Sequence, residues 1–403
     1  MPTGDGLLAR LTPAGDTIAF DAFDRLCVAA RAHGNGIIEV TSRGNIQVRG
    51  LSTASTPAFA AAVEPLGIDC RGHQVLTPPL SGLDTDKDLR ILALAKVLRA
   101  AIEQASFAPH LAAKASIILD DGRALHLDGV VADIRLRAMS DDGETCFHVA
   151  VAGDAATAHP LGAVPPARAV ECALRLLDVL TAKAPGRRMR EALREDGTQP
   201  FRAAIDDLLI ERQPPQARAP VSAIGIHRLR TQRVAVGLGL PFGHADSEVL
   251  RRLIATARNV GAAGLRTAPD RTLLVVDLSP DATPVFVANA GALGFMTEGN
   301  DSRRRIVACA GAPICASGQI SARALAPTIA QAVELAVAAA PGRGGVIHLS
   351  GCAKGCAYPS PARLAVFGRA GACDVFVDGA LLETVSVNDL PALLARLASS
   401  FSE

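Results

Sequence analysis

An internal repeat restricts how this chain can fold more than any other feature. "FDRLCVAARAHGNGIIEVTSRGNIQVRGLS" (Phe23 to Ser52) lies over "LRRLIATARNVGAAGLRTAPDRTLLVVDLS" (Leu250 to Ser279) at a constant offset of 227, without a gap. A duplicated segment is expected to build the same unit twice. Both copies set apolar residues at helical spacing: Phe23, Leu26, Cys27 and Ala30 in the first, Leu250, Leu253, Ile254 and Ala257 in the second. Each then turns at Gly34 or Gly261 into a strand, a turn and a second strand. A short strand precedes each helix, "GLLARL" and "RVAVGLGL". The repeat predicts two half-domains packed around a pseudo-twofold axis.

Between the copies lie helical stretches ("DLRILALAKVLRAAIEQ", "ARAVECALRLLDVLTA") and alternating, strand-like ones ("KASIILDDG", "FHVAVAG"). That region ends in "ERQPPQARAP" (Glu211 to Pro220), whose prolines forbid continued helix and mark a linker. The second half repeats the order with "ALAPTIAQAVELAVAAA" and the strands "GVIHLS", "RLAVFG" and "CDVFVDG". The fold class is therefore α+β with a duplicated plan. The expected units are 1–85, 86–212, a linker at 213–220, 221–298 and 299–403.

Formal charges nearly cancel, 41 basic against 40 acidic, so no field over the whole molecule draws in nucleic acid or an anionic membrane. Any anion must be gathered by local arginine clusters. Tyr358 is the single tyrosine and there is no tryptophan, which argues against a stacking platform for nucleic acid. No run is long and apolar enough to span a bilayer, and "MPTGDGLLARL" is unlike a secretory leader, so a cytoplasmic location is expected.

Five of the nine cysteines (Cys27, Cys70, Cys146, Cys172, Cys373) stand alone and read as small buried hydrophobes. The other four form "CAGAPIC" (Cys309, Cys315) and "CAKGC" (Cys352, Cys356). Zinc knuckles favour two residues between paired thiolates, and these spacings of five and three are wider. A cubane iron–sulfur cluster takes one thiolate at each iron from loops that wrap it. Gly311, Gly318, Gly351 and Gly355 would let backbone approach it. Spacing alone leaves three occupants open: a [4Fe–4S] cluster, a structural zinc ion, or none.

The C-x5-C and C-x3-C pairs, "TSRGNIQVRG" and the gapless duplication together resemble the sirohaem-dependent nitrite and sulfite reductase superfamily. The resemblance implies two ferredoxin-like half-domains and two cluster-type modules, of which only the second keeps its cysteines. It further implies that Cys309, Cys315, Cys352 and Cys356 hold a [4Fe–4S] cluster, Cys356 also bridging to sirohaem in the reductases. Within the superfamily, "TGDGLLARL" and "SGCAKGCAYP" are most similar to the precorrin-3B synthase family of aerobic cobalamin synthesis. That likeness implies a monooxygenase that hydroxylates precorrin-3A at C20 and closes the ring A acetate into a γ-lactone. It also implies a mononuclear non-haem iron beside the cluster, its ligands unknown, and no sirohaem. NADH would act only through an external reductase or ferredoxin, since no dinucleotide-binding G-x-G-x-x-G follows a strand.

A precorrin is rimmed with carboxylates, which bidentate arginine suits best. Thr41, Arg43, Asn45, Gln47 and Arg49 alternate as on one strand face, a pattern shared by ligand-facing and solvated strands. Thr41, Arg43 and Gln47 match the superfamily's tetrapyrrole-contacting T-x-R-x-x-x-Q. The second copy has Asp270 in place of Arg43, with Arg266 and Arg271 nearby. "SRRRIVAC" adds Arg304 and Arg305, and Lys354 lies between the last two cysteines, where it would balance cluster charge or bind a carboxylate. Of the reductases' distal cations, Arg10 and Lys114 match one arginine and one lysine. The partner lysine position is Ala112, and the second arginine falls near His73. Fewer distal cations suit neutral O2 better than sulfite, with His73 as an iron ligand or proton donor. His126 and Asp128, on an apparent strand, are a weaker candidate for an iron site. Two other readings stand beside this one: a sirohaem nitrite or sulfite reductase, and a non-catalytic tetrapyrrole-binding protein.

Overall fold

The two copies of the repeat fold alike and exchange an edge across a pseudo-twofold axis in the computed structural model, which describes residues 2–13, 17–69, 74–83, 91–141, 144–337, 346–355, 357–358 and 362–400. The first copy is the helix Phe20–His33 followed by strands Ile37–Val40 and Ile46–Leu51; the second is the helix Ser247–Asn259 followed by Gly264–Ala268 and Thr272–Leu278. The preceding strands, Gly6–Pro13 and Val234–Gly239, pair antiparallel with the last strand of their own copy. Ala245 pairs with Ile38, and Ile18 pairs with Leu265. Adding the repeat offset to Ile18 and Ile38 gives positions 245 and 265, so the two bridges are one contact seen twice. Arg251 Nε donates to Asp24 Oδ1 at 2.9 Å, joining the same repeat position on both helices. All eight helical apolar residues of the two copies are buried in one core.

The second duplication, expected from the repeated order of elements, is one of topology. In the first half a five-stranded sheet runs Gln74–Leu76, Ser116–Asp120, Ala132–Asp141, Glu144–Gly153, His159–Val164. In the second half it runs Ile306–Ala308, Ile347–Ser350, Leu364–Arg369, Ala372–Val377, Ala380–Ser386. In both, the first two junctions are parallel and the last two antiparallel. Parallel neighbours need a crossover, supplied by the helices Ile91–Gln104 and Ala322–Val337. Helices Ala169–Lys183 and Leu390–Ser400 follow each last strand, and each module has its own apolar core. Residues 211–222 carry no regular secondary structure. Among the described residues no helix is long and apolar enough to cross a membrane.

Arg266, near Asp270 in sequence, serves the junction of the elements. It is 7% exposed and donates to Thr17 Oγ1 (2.8 Å) and to the carbonyls of Pro79 (3.0 Å) and Ser81 (2.9 Å). Arg266→Met strands two buried acceptors, so chemical denaturation should show a loss of about 2–4 kcal/mol; an unchanged midpoint would contradict this anchoring. Burial, with the charge of Arg323, pushes His244 down to about 4 from its ordinary 6.5, so it is neutral when folded. Below pH 6.5 the unfolded chain takes up a proton that the folded chain refuses until about pH 4, so stability falls as pH drops through that window. His244→Gln should flatten that part of the stability–pH curve, measured by denaturant titration at several pH values.

Candidate functional site

The sequence pattern places Thr41 to Arg49 on one strand face, but the chain enters the strand only at Ile46. Thr41 Oγ1 accepts from the backbone N–H of Arg43 (3.3 Å) and Asn45 (3.0 Å), and Gly44 takes φ +80°, which together make a turn. The equivalent turn of the second copy holds Asp270 and Arg271 at φ 58° and 59°, left-handed values rare without glycine. The two turns dock on one another, Asp270 N–H donating to Ser42 O (3.1 Å) and Arg271 N–H to Thr41 O (3.3 Å). The pseudo-axis thus brings Arg43 beside Asp270 and Arg271.

The docked turns line a cavity of about 1200 Å³. Thr41, Arg43, Asn45, Arg10, Lys114, Arg304 and Arg305, all named from sequence, line it. Nine Lys and Arg residues face four carboxylates there, in a chain that is nearly neutral as a whole. Arg304 is paired with Asp270 at 2.9 Å. Arg10, Arg43, Lys114 and Arg305 have no side-chain hydrogen-bond or ion-pair partner among the described residues, and Arg10 Nε and Arg305 Nη1 are buried without one. Burial lowers the Arg10 guanidinium below its ordinary value; burial and then the charge of Arg188 do the same to Arg43. Lys114 is exposed, while Arg10, Arg43 and Arg305 are half-buried; their partial desolvation without a partner is costly, and an anionic ligand offsets it.

Of the opposite wall the sequence pattern singled out only His126 and Asp128, not the arginines beside them. The alternation "IRLR" on the strand Ala132–Asp141 was the available signal for these, setting Arg135 and Arg137 on one face. Both line the cavity with His126, Asp128 and His148. Burial, followed by the charge of Arg137, keeps His148 below its ordinary value. His126 and Asp128 lie in the loop after the strand Ser116–Asp120, not on a strand. Asp128 is paired with Arg218 at 2.5 Å; burial pushes its carboxyl up, but Arg218, together with Arg137 and His126, holds it below the usual range. A carboxylate so committed to arginine is poorly suited to binding a metal.

Gln47 and Arg49 lie on the strand and are not among the lining residues. Gln47 sits in register between Arg10 and Glu39. Arg49 pairs with Asp5 (3.2 Å) and Glu39 (3.8 Å) and reaches the carbonyl of Ile314, in the Cys309–Cys315 loop, at 3.4 Å. Lys354 Nζ donates to Ser317 Oγ at 2.9 Å, tying the two cysteine loops together.

Cys309, Cys315 and Cys352 are half-buried and unbridged, while Cys27, Cys146, Cys172 and Cys373 are fully buried. Burial pushes Cys172 up to about 12 and Cys373 to about 11, as expected of inert core thiols. The Gly351 N–H donates to Cys309 Sγ at 2.9 Å, the bond that stabilises a thiolate. A Cβ on Gly351 would stand 2.7 Å from Gly311 Cα and 3.4 Å from Cys309 Sγ, so only glycine lets the loops meet. Soft thiol donors on two glycine-lined loops, with an N–H aimed at sulfur, fit an iron–sulfur cluster. Among the described residues no three His, Cys, Asp or Glu side chains are gathered as around a single ion. Cys356, His73 and Cys70 lie outside the described residues.

Comparison with known proteins places this geometry in context. Residues 1–66 match the family described as the nitrite/sulfite reductase ferredoxin-like half domain. The chain is 33% identical to a precorrin-3B synthase of a Sinorhizobium species over 98% of its own length and 86% of that protein's. It is 26% identical to a ferredoxin–nitrite reductase of Synechococcus elongatus, covering 87% of this chain and 73% of that one. The solved structure of the Mycobacterium tuberculosis NirA protein superposes with a TM-score of 0.81 at 17% identity, over 98% of this chain and 80% of that one, a likeness of fold.

The unpaired cations give a direct expectation. Arg43→Ala and Arg305→Ala should each weaken binding of uroporphyrin, a planar polycarboxylate, by about ten- to a hundredfold in fluorescence titrations. Wild-type affinity in both variants would contradict the assignment of the cavity.

Proposed function

The chain belongs to the precorrin-3B synthase family, and from that premise we propose that it converts precorrin-3A to precorrin-3B in cobalamin synthesis. The observation that carries the reading is the set of unpaired cations facing a cavity of about 1200 Å³, large enough for a tetrapyrrole. In this reading Arg43 and Arg305 hold carboxylates of the macrocycle from the docked turns and the arginine-rich segment. Arg10 and Lys114 carry the corresponding charge from the strand Gly6–Pro13 and the loop before Ser116. Thr41 and Asn45 fix the turn that presents Arg43. Fixed carboxylates orient the meso carbon C20 and bring the ring A acetate to the position where it closes as a lactone. The reaction adds one oxygen atom of O2 to the substrate and sends the other to water, with electrons and protons supplied from outside.

Cys309, Cys315 and Cys352, with Cys356, are the residues that would hold a [4Fe–4S] cluster. When bound, that cluster supplies single electrons and a mononuclear non-haem iron supplies activation of O2. Electrons would come from a reductase or ferredoxin. His73 is proposed as an iron ligand or proton donor. The family premise favours this reading over a sirohaem reductase, and the count of distal cations, Arg10 and Lys114 without a lysine at buried Ala112, favours a neutral oxidant.

Anaerobic loading with precorrin-3A, followed by reductant and isotopically labelled O2, should give a product heavier by one labelled oxygen atom. No incorporation under competent reduction would contradict the reading and favour a tetrapyrrole carrier. Anaerobic incubation with iron and sulfide should give the wild type a broad brown absorbance, and Cys309→Ser or Cys352→Ser should lose it while keeping wild-type circular dichroism. His73→Ala should lower iron content and product yield together; unchanged values would remove His73 from the site.

A further inference from the structure

The segment joining the two halves is held as a wall of the cavity at three points. Arg137 Nη2 donates to Gln216 O at 2.8 Å, and His126 Nε2 to Ala219 O at 3.0 Å. His126 Nδ1 accepts from Asp128 N–H at 3.3 Å, so both ring nitrogens are committed and the ring serves as a tether. Between these points the Arg218 guanidinium bonds Asp120 (2.7 Å) and Asp128 (2.5 Å). Asp120 is fully buried; burial alone would lower Arg218, but its pairing with Asp128 and Asp120 raises it. Pro214, Pro215, Ala217, Pro220 and Val221 of the segment line the cavity.

The place of this clamp in the fold is informative. Asp120, His126 and Asp128 end or follow the second strand of the first five-stranded sheet. Cys352 and Cys356 follow the second strand of the other sheet, Ile347–Ser350, whose topology is the same. The loop that offers thiols in one module offers carboxylates in its duplicate, and those carboxylates take an arginine from the linker.

We propose that Arg218 is a positioning residue that clamps residues 214–221 into a fixed wall, and that this wall sets which macrocyclic polycarboxylate the cavity admits. The inference rests on the tetrapyrrole reading above. A segment without secondary structure holds one line only if anchored, and its prolines reduce the entropy that the anchors must overcome. Loss of the clamp leaves the cations of the docked turns in place while the opposite wall loosens.

The test uses the reconstituted full-length protein and its Arg218→Met and Arg218→Lys variants. Arg218→Met should speed tryptic cleavage after Arg212 by about tenfold or more. It should also raise KM for precorrin-3A by about tenfold with kcat within about twofold of wild type, and weaken uroporphyrin binding comparably. Arg218→Lys should restore part of each. Because Arg218→Met strands a buried carboxylate, Asp120→Asn/Arg218→Met is the second variant, and it should show the same loosening if the single variant does not fold. Wild-type cleavage and KM in a folded variant would overturn the proposal, as would equal losses in kcat and KM that track a lowered Tm. If wild-type protein fails to turn over precorrin-3A, the functional reading falls, while cleavage and uroporphyrin affinity still decide whether the clamp exists.

Discussion

The strand exchange across the pseudo-twofold axis is the constraint on which the rest depends. Ile18 on Leu265 and Ala245 on Ile38 are the same antiparallel contact made twice, and they fix how one half sits against the other. Once they form, the helices meet at Asp24 and Arg251, and the turns after the first strands of the two copies must face each other. The left-handed backbone at Asp270 and Arg271 is supported by hydrogen bonds to Thr41 and Ser42 that exist only because of that docking. The cavity floor is therefore a product of the duplication, and neither copy makes it alone.

Duplication also explains how one chain carries two chemistries. The halves have the same sheets, and divergence is confined to what their loops present: glycines and thiols after Ile306–Ala308 and Ile347–Ser350, carboxylates after Ser116–Asp120. Arg43 faces the cavity in one copy of the turn, and Asp270, neutralised by Arg304, replaces it in the other. A symmetric scaffold thus yields an asymmetric site, with unpaired cations on one part of the wall and an arginine-locked linker on another.

The ferredoxin-like repeat was legible because both copies keep apolar residues at helical spacing, which are the buried ones, and turn at the aligned Gly34 and Gly261. The five-stranded modules share no such letters, since "SIILD" and "IHLS" satisfy the same strand position with different residues. The cation set around Arg10, Arg43, Lys114, Arg304 and Arg305 was legible through motif and charge. Extending a period of two from Thr41 to Arg49 was less reliable, because the turn at Gly44 intervenes and Arg49 supports the cysteine loop from outside the cavity. Arg218 was illegible for a different reason. Its partners Asp120 and Asp128 are some ninety positions away in a linker-to-loop contact that no local pattern encodes.

The account's central claim is that the docked turns and the arginine-rich segment hold a tetrapyrrole by its carboxylates. A crystal structure of the protein with bound uroporphyrin tests it most directly. The account predicts the macrocycle in the cavity between the two halves, with carboxylates in hydrogen-bond contact with Arg43 and Arg305. A macrocycle seated elsewhere, or one that leaves both guanidinium groups without a carboxylate, would contradict it.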